Sequence, residues 1–237
     1  MAPVSTAPVT VSTVDLTATT VRELNATLHD VTRASPGSHW DVEHPDGRHN
    51  LVVGLDRALE VRVAGHAGYY CAGMNQRATV TVEGNVGVGV AENMMSGLVH
   101  VHGNASQSAG ATAHGGLLVI DGDASARCGI SMKGVDIVVG GSVGHMSAFM
   151  GQAGRLVVCG DAGDALGDSI YEARVYVAGT VRSLGADCIE KPMLAEHVEE
   201  LSALLTAAGR TEDPAVFRRY GSARRLYTFH VEDAGRY

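Results

Sequence analysis

One interval governs what this chain can fold into. The glycines that end its short aliphatic runs fall at Gly65, Gly84, Gly103, Gly122, Gly141, Gly160 and Gly179, nineteen residues apart each time. A fixed period of about twenty residues without insertion marks a solenoid, in which each repeat is one coil that buries its apolar side only against its neighbours. A composition of 30 Gly, three Phe and one Trp in 237 residues agrees, because tight coils need small interiors and leave no room for a large aromatic core.

The residues ahead of each glycine identify the coil's main element. Two before it stand Val63, Val82, Val101, Ile120, Val139, Val158 and Val177, and four before it Val61, Val80, Val99, Leu118, Ile137, Leu156 and Val175. Period-two alternation places both sets on one face of a strand. Small apolar residues two after the glycine, Ala67 through Val181, turn inward as well. Strands stacked coil on coil at about 4.8 Å then enclose continuous aliphatic ladders. The expected fold is all-β: a single-stranded parallel β-helix of about seven coils, right-handed from the usual chirality of parallel crossovers. The recurring Gly, Asn and Asp are expected to occupy positive-φ corners between strands.

The flanks are expected to cap the stack. Residues 1–13, rich in Ser, Thr, Pro and Val, are expected to be frayed, and 14–50 to form an N-terminal cap of helix and strand. In "TTVRELNATLH", Thr20 and Glu23 have capping-box spacing, and Val21, Leu24 and Leu28 share one helix face. "HPDGRHNLVVGL" reads as a turn and then the strand that opens the β-helix, which spans 51–191. Residues 192–237 read as a helix with Leu194, Val198, Leu201 and Leu205 on its apolar face, stopped by Gly209. A short helix opened by Asp213–Pro214 and a final strand in "RRLYTFHV" follow.

One outward ladder breaks the polar pattern. Arg62, Thr81 and His100 give way to Val119, Val138, Val157 and Tyr176. A contiguous apolar strip on the outside of a solenoid needs a cover, either the C-terminal helix or a partner subunit. The most idiosyncratic corners, "SQSAGATAHGG" and "SARCGISMKG", carry Ser106, Gln107, His114, Arg127 and Lys133. These five and the four strip residues are the candidate partner contacts.

The chemistry-bearing residues support no catalytic set. "GNVGVG" at Gly84–Gly89 has the look of a nucleotide loop, but it recurs every coil without a following helix. Cys71 and Cys128 share a repeat position three coils apart, about 14 Å at strand spacing, beyond the reach of a disulfide. The four cysteines therefore read as small buried hydrophobes in a reducing compartment. The ladder Glu83–His102–Asp121 could hold a metal or relay a proton, yet stacked charges on a wet face explain it, and no metal or cofactor is assigned to this chain. Asp161, Asp164, Asp168 and Glu172 read as corner residues. A net charge of −8 argues against nucleic acid, and the lack of any long apolar run argues against a membrane. The chain is read as cytoplasmic.

The repeat with its Gly84–Gly87–Gly89 corners resembles the GXGXG β-helix at the C-terminus of the large glutamate synthase subunit, and related β-helices serve formylmethanofuran dehydrogenases. "VRELNATLH", "PDGRHNLVVGL", the stretch from "VAENMMSG" to "GHMSAFM" and "GDAGDALGDSIYEARVYV" are similar to the free-standing β-helical subunit of glutamate synthase-like complexes, including N-methylglutamate synthase. The resemblance covers about residues 14–235. It implies a non-catalytic structural subunit in a hetero-oligomer that bridges a glutamine amidotransferase-like chain and a glutamate synthase-like chain carrying FMN and an iron–sulfur cluster. A formylmethanofuran dehydrogenase subunit is the alternative. A β-helical acyltransferase fits less well, because its hexapeptide subperiod is absent here.

Overall fold

A computed structural model describes residues 11–30 and 32–224. The chain order is β1 (Val11–Asp15), α1 (Val21–His29), β2 (His39–Glu43), β3 (Glu60–Val63), β4 (Thr79–Val82), β5 (Leu98–Val101), β6 (Leu117–Ile120), β7 (Lys133–Val139), β8 (Ala153–Val158), β9 (Arg174–Val177), β10 (Cys188–Lys191), α2 (Ala195–Ala207) and β11 (Arg218–Ser222). β1 to β9 pair in parallel, each with the next, and β11 then enters antiparallel between β9 and β10. Register follows the period: Val80 faces Val99, Leu118 faces Ile137, and Ile120 faces Val139. Isolated parallel bridges run from Ala67 through Val86, Ala105, Ala124, Val143 and Ala162 to Val181 on a second wall. The β-helix of about seven coils is therefore present, with its inward ladders almost wholly buried. At about 1.5–3 kcal/mol for each buried aliphatic side chain, these ladders dominate the stability.

The period glycines are there for a different reason than expected. Of the seven, only Gly65 has a positive φ. A Cβ at Gly160 would lie 2.8 Å from both the carbonyl carbon and oxygen of Gly141, and at Gly84 equally close to Gly65. These glycines let one coil's backbone rest on the next. The residue after each one forms a matching polar ladder. Asn104 N–H donates to Asn85 Oδ1, Asp123 N–H to Asn104 Oδ1, Ser142 N–H to Asp123 Oδ1 and Thr180 N–H to Asp161 Oδ1, at 2.6–2.8 Å. The corner Asn and Asp thus serve as acceptors for an otherwise unpaired N–H of the coil above.

Positive φ occurs elsewhere, five, seven and nine residues after the period glycine, largely at non-glycine positions such as Tyr70, Ala72 and Met74, or Met146, Ala148 and Met150. Alternating hydrogen bonds hold it there. Met146 and Met150 donate forward to the carbonyls of Asp164 and Asp168, while Ala148 donates back to Cys128. Each left-handed residue costs about 1–2 kcal/mol, which the two neighbouring coils offset by fixing its hydrogen bonds.

The ends both agree with and depart from the sequence reading. α1 carries the Thr20–Glu23 capping box and buries Leu24 and Leu28. Residues 11–13, expected to be frayed, begin β1, which pairs with β2 and extends the stack. "LVVGL" forms no strand; the stack opens with β1 and the "HWDVE" of β2. Leu51, Val52 and Leu55 instead fill the first corner, with Val52 at φ 53°. α2 ends before Gly209, at φ +69°, as expected, but its buried face is His197, Leu201, Leu204 and Leu205. Leu194 and Val198 are exposed, since Leu194 precedes the first turn and Val198 points away from the sheet. "RRLYTFHV" lies outside the described residues apart from Arg224.

The apolar strip has an intramolecular cover. Val119, Val138, Val157 and Tyr176 pack against Leu201, Leu204, Leu205, Ala208 and Phe217. Glu200 locks α2 in place. It accepts from Tyr176 OH at 2.6 Å, from Arg174 Nη1 at 2.6 Å and from Arg155 Nη1 at 3.1 Å, while Arg155 also grips Asp136. Burial by itself raises the Glu200 carboxyl, but the hydrogen bonds from Tyr176 and Arg174 outweigh it, so the group titrates below its usual 4.5. A depressed carboxyl stabilises the fold above its unfolded value, and that share is lost as pH falls through the folded value. Glu200→Gln should therefore cost about 1–3 kcal/mol near neutral pH. Thermal melts of the two proteins should converge as the pH is lowered below 4.5 and through the depressed folded value of Glu200.

Candidate functional site

The structure divides the candidate contact residues into two groups. Val119, Val138, Val157 and Tyr176 are at most 2% exposed, so with α2 docked no partner reaches them. The expectation that they contact a partner is corrected on that ground. Gln107, His114, Arg127 and Lys133 are exposed and Ser106 is half-buried, all on coil corners. His114 and Lys133 stand at the same coil position in successive repeats, eleven residues after the period glycine.

That position belongs to a longer surface that sequence reasoning missed. Its ladder reads Gln76, Met95, His114, Lys133, Gln152 and Tyr171, and Met74 and Met150 stand two positions earlier in their coils. Met74, Met95, Met150 and Tyr171 are all 40–53% exposed. The preceding edge of the same corner carries Tyr69 and Tyr70, also exposed, with Tyr69 stacked on His49 at 4.4 Å between ring centroids. Apolar residues scattered singly need no explanation, but recurrence at one coil height along a rigid stack aligns them. Methionine suits such a surface because its unbranched thioether adapts to the shape opposite it. The available signal was outward positions held by Met and Tyr where a solvated corner would carry polar residues.

A second outward strip is charged. Arg62 Nε donates to Glu83 Oε1 at 2.9 Å and also faces Asp41 and Glu43. One coil on, His100 Nε2 lies 3.0 Å from Asp121 Oδ1, and His102 Nδ1 lies 2.7 Å from Asp121 Oδ2. The sequence ladder Glu83–His102–Asp121 is thus rearranged: Arg62 takes Glu83, and His100 becomes the third member. Burial would raise the Asp121 carboxyl, but hydrogen bonds from both histidines bring it below the ordinary carboxylate value. Farther along, Arg210 pairs with Glu212 over Gly140 and Cys159.

The remaining chemical groups are structural. Cys71 and Cys128 are free and fully buried, and burial pushes both thiols up to about 12. A thiol so far from ionisation is a poor nucleophile at neutral pH. Asp161 accepts from Thr180, Asp164 from Arg182 and Ser183, and Asp168 from the Ala186 N–H, each tying one coil to the next. No helix among the described residues is long and apolar enough to cross a membrane.

No family model matches the chain. It is similar to Protein GlxC of Rhizobium meliloti (strain 1021), with 58% identity over 225 residues that cover 94% of this chain and 99% of that one.

Proposed function

The chain belongs to the GlxC family, and on that premise we propose that it is a non-catalytic structural subunit of a glutamate synthase-like oxidoreductase of the N-methylglutamate synthase kind. In this reading it bridges a glutamine amidotransferase-like subunit and a subunit that carries FMN and an iron–sulfur cluster. The observation that carries the docking role is the exposed Met and Tyr ladder beside Gln107, His114, Arg127 and Lys133, displayed along rigid coil corners. The β-helical resemblance supplies the identity of the partners. A stack in rigid register holds two partners at a fixed separation, which a flexible tether would not do.

Affinity purification of the tagged full-length chain from its native host, followed by mass spectrometry, should recover an amidotransferase-like chain and a flavin-binding chain. The paired substitution Met95→Glu and Lys133→Glu should lower the recovery of at least one of them, with the circular-dichroism melt unchanged. A chain that elutes alone at every concentration would overturn the reading. A complex carrying molybdenum or tungsten with pterin in place of FMN would replace it with the formylmethanofuran dehydrogenase alternative.

A further inference from the structure

We propose that His100, His102 and Asp121 form a binding site for one borderline divalent transition ion, with zinc(II) the best match. The inference stands on the geometry of the charged strip and does not depend on the docking role. Two imidazoles and a carboxylate are a donor set suited to such ions, and three protein donors leave at least one coordination position for water or a partner's side chain.

The donors converge because the coil fixes them. His100 and His102 are two residues apart on the outward face of one strand and its exit, with ring centroids 4.3 Å apart. Val101 pairs with Ile120, so the next residues, His102 and Asp121, stand side by side on adjacent coils. Their backbones are pinned by His102 N–H to Val82 O and Asp121 N–H to Val101 O, each at 2.9 Å. The three donor atoms lie within 4.8 Å of one another. An ion about 2.0–2.2 Å from each donor needs them about 3–3.5 Å apart; each histidine nitrogen is already 2.7–3.0 Å from an Asp121 oxygen, and a donor pair as wide as the 4.8 Å bound would close by a side-chain rotation of about an ångström.

Charge favours the same reading. Arg62 is taken by Glu83 and Arg210 by Glu212, so both flanking guanidiniums are already neutralised. Among the described residues the two histidines are the only cationic-type side chains within 4 Å of the Asp121 carboxylate; Arg210, already paired with Glu212, acts on it only at longer range. As donors to Asp121, His100 Nε2 and His102 Nδ1 carry the ring protons. With the ion bound, each ring keeps a proton on its other nitrogen and offers the inward lone pair to the metal.

Cobalt(II) is the probe, applied to the tag-free, metal-stripped, full-length chain, since all three donors come from it alone. Titration should give visible d–d bands that saturate at one equivalent, and zinc(II) should bleach them. Asp121→Asn, which keeps the shape of the side chain, and His102→Ala should each weaken binding by at least about tenfold with the thermal melt unchanged. His145→Ala, an exposed histidine outside the cluster, should leave the titration as it was. Absence of the bands, or a titration that survives both cluster substitutions, would overturn the site.

Discussion

Val139→Asp should yield no folded chain: its far-ultraviolet spectrum should lose the sheet signal and the protein should elute as aggregate or expanded monomer. Val139 is fully buried in the ladder Ile120–Val139–Val158, in the middle of the stack. An aspartate there finds only aliphatic neighbours on the inward face. Removing the valine forfeits about 1.5–3 kcal/mol of burial, and an unpaired polar group at the same place adds several more. Against a total stability of about 5–15 kcal/mol, that loss is decisive. Topology makes it worse. A coil touches only its two neighbours, so a damaged central coil weakens both interfaces and splits the ladder into two short stacks. Thr81→Asp, on the outward face between Arg62 and His100, is the control and should melt like the parent. A Val139→Asp protein with an ordinary spectrum and melt would mean that the inward assignment of this residue is wrong.

What could be read from the residues depended on whether the period carried it. The inward ladders recur seven times, and their register follows once the period is known. α1 announced itself through Thr20 and Glu23, a local hydrogen-bond pattern independent of tertiary context. Off the period, apolar residues misled. "LVVGL" has the composition of a strand, yet Leu51 and Leu55 are wanted as corner filling, and Val52 accepts a left-handed φ that its β-branched side chain disfavours. α2 was legible as a helix but not in its rotation. The strip of Val119, Val138, Val157 and Tyr176 and the anchor at Glu200 decide which face turns inward, and neither contact is local in sequence. β11 reads "RRYGS" and shows no alternation. It forms because β9 offers an open edge that an antiparallel strand can satisfy.

The candidate sites show the same division. That Asp121 neighbours His102 follows from counting nineteen residues back. That His100 joins them requires knowing that Arg62 has already taken Glu83, which is a matter of side-chain reach. The Met and Tyr corner was hidden for another reason. Outward and inward positions do not alternate simply between the strand bridges, because the left-handed residues five, seven and nine after the period glycine reset the direction of the chain.

The largest consequence of the corrected role of the period glycines concerns Gly103. Gly103→Ala should destabilise the protein by about 2–4 kcal/mol, at or above the usual range for overpacking, because the obstacle is backbone and not a movable side chain. The added Cβ would sit 2.7 Å from the carbonyl carbon and oxygen of Gly84 and would also press on Asn85 Oδ1. Relief requires the two coils to part, and parting them stretches the Asn104 N–H to Asn85 Oδ1 bond, now 2.8 Å, and the bridge from Val86 to Ala105. Met150→Gly is the informative companion. Met150 holds φ 52° on an exposed corner, so glycine there removes left-handed strain and should leave stability unchanged or raise it by up to about 1 kcal/mol. Urea melts of the two variants should move in opposite directions, or at least differ by several kcal/mol. Gly103 does not use a positive φ, so without that backbone contact Gly103→Ala would be nearly silent. A silent Gly103→Ala would therefore show that the coils are not in backbone contact there, and the close stacking that gives this chain its rigid corners would have to be abandoned.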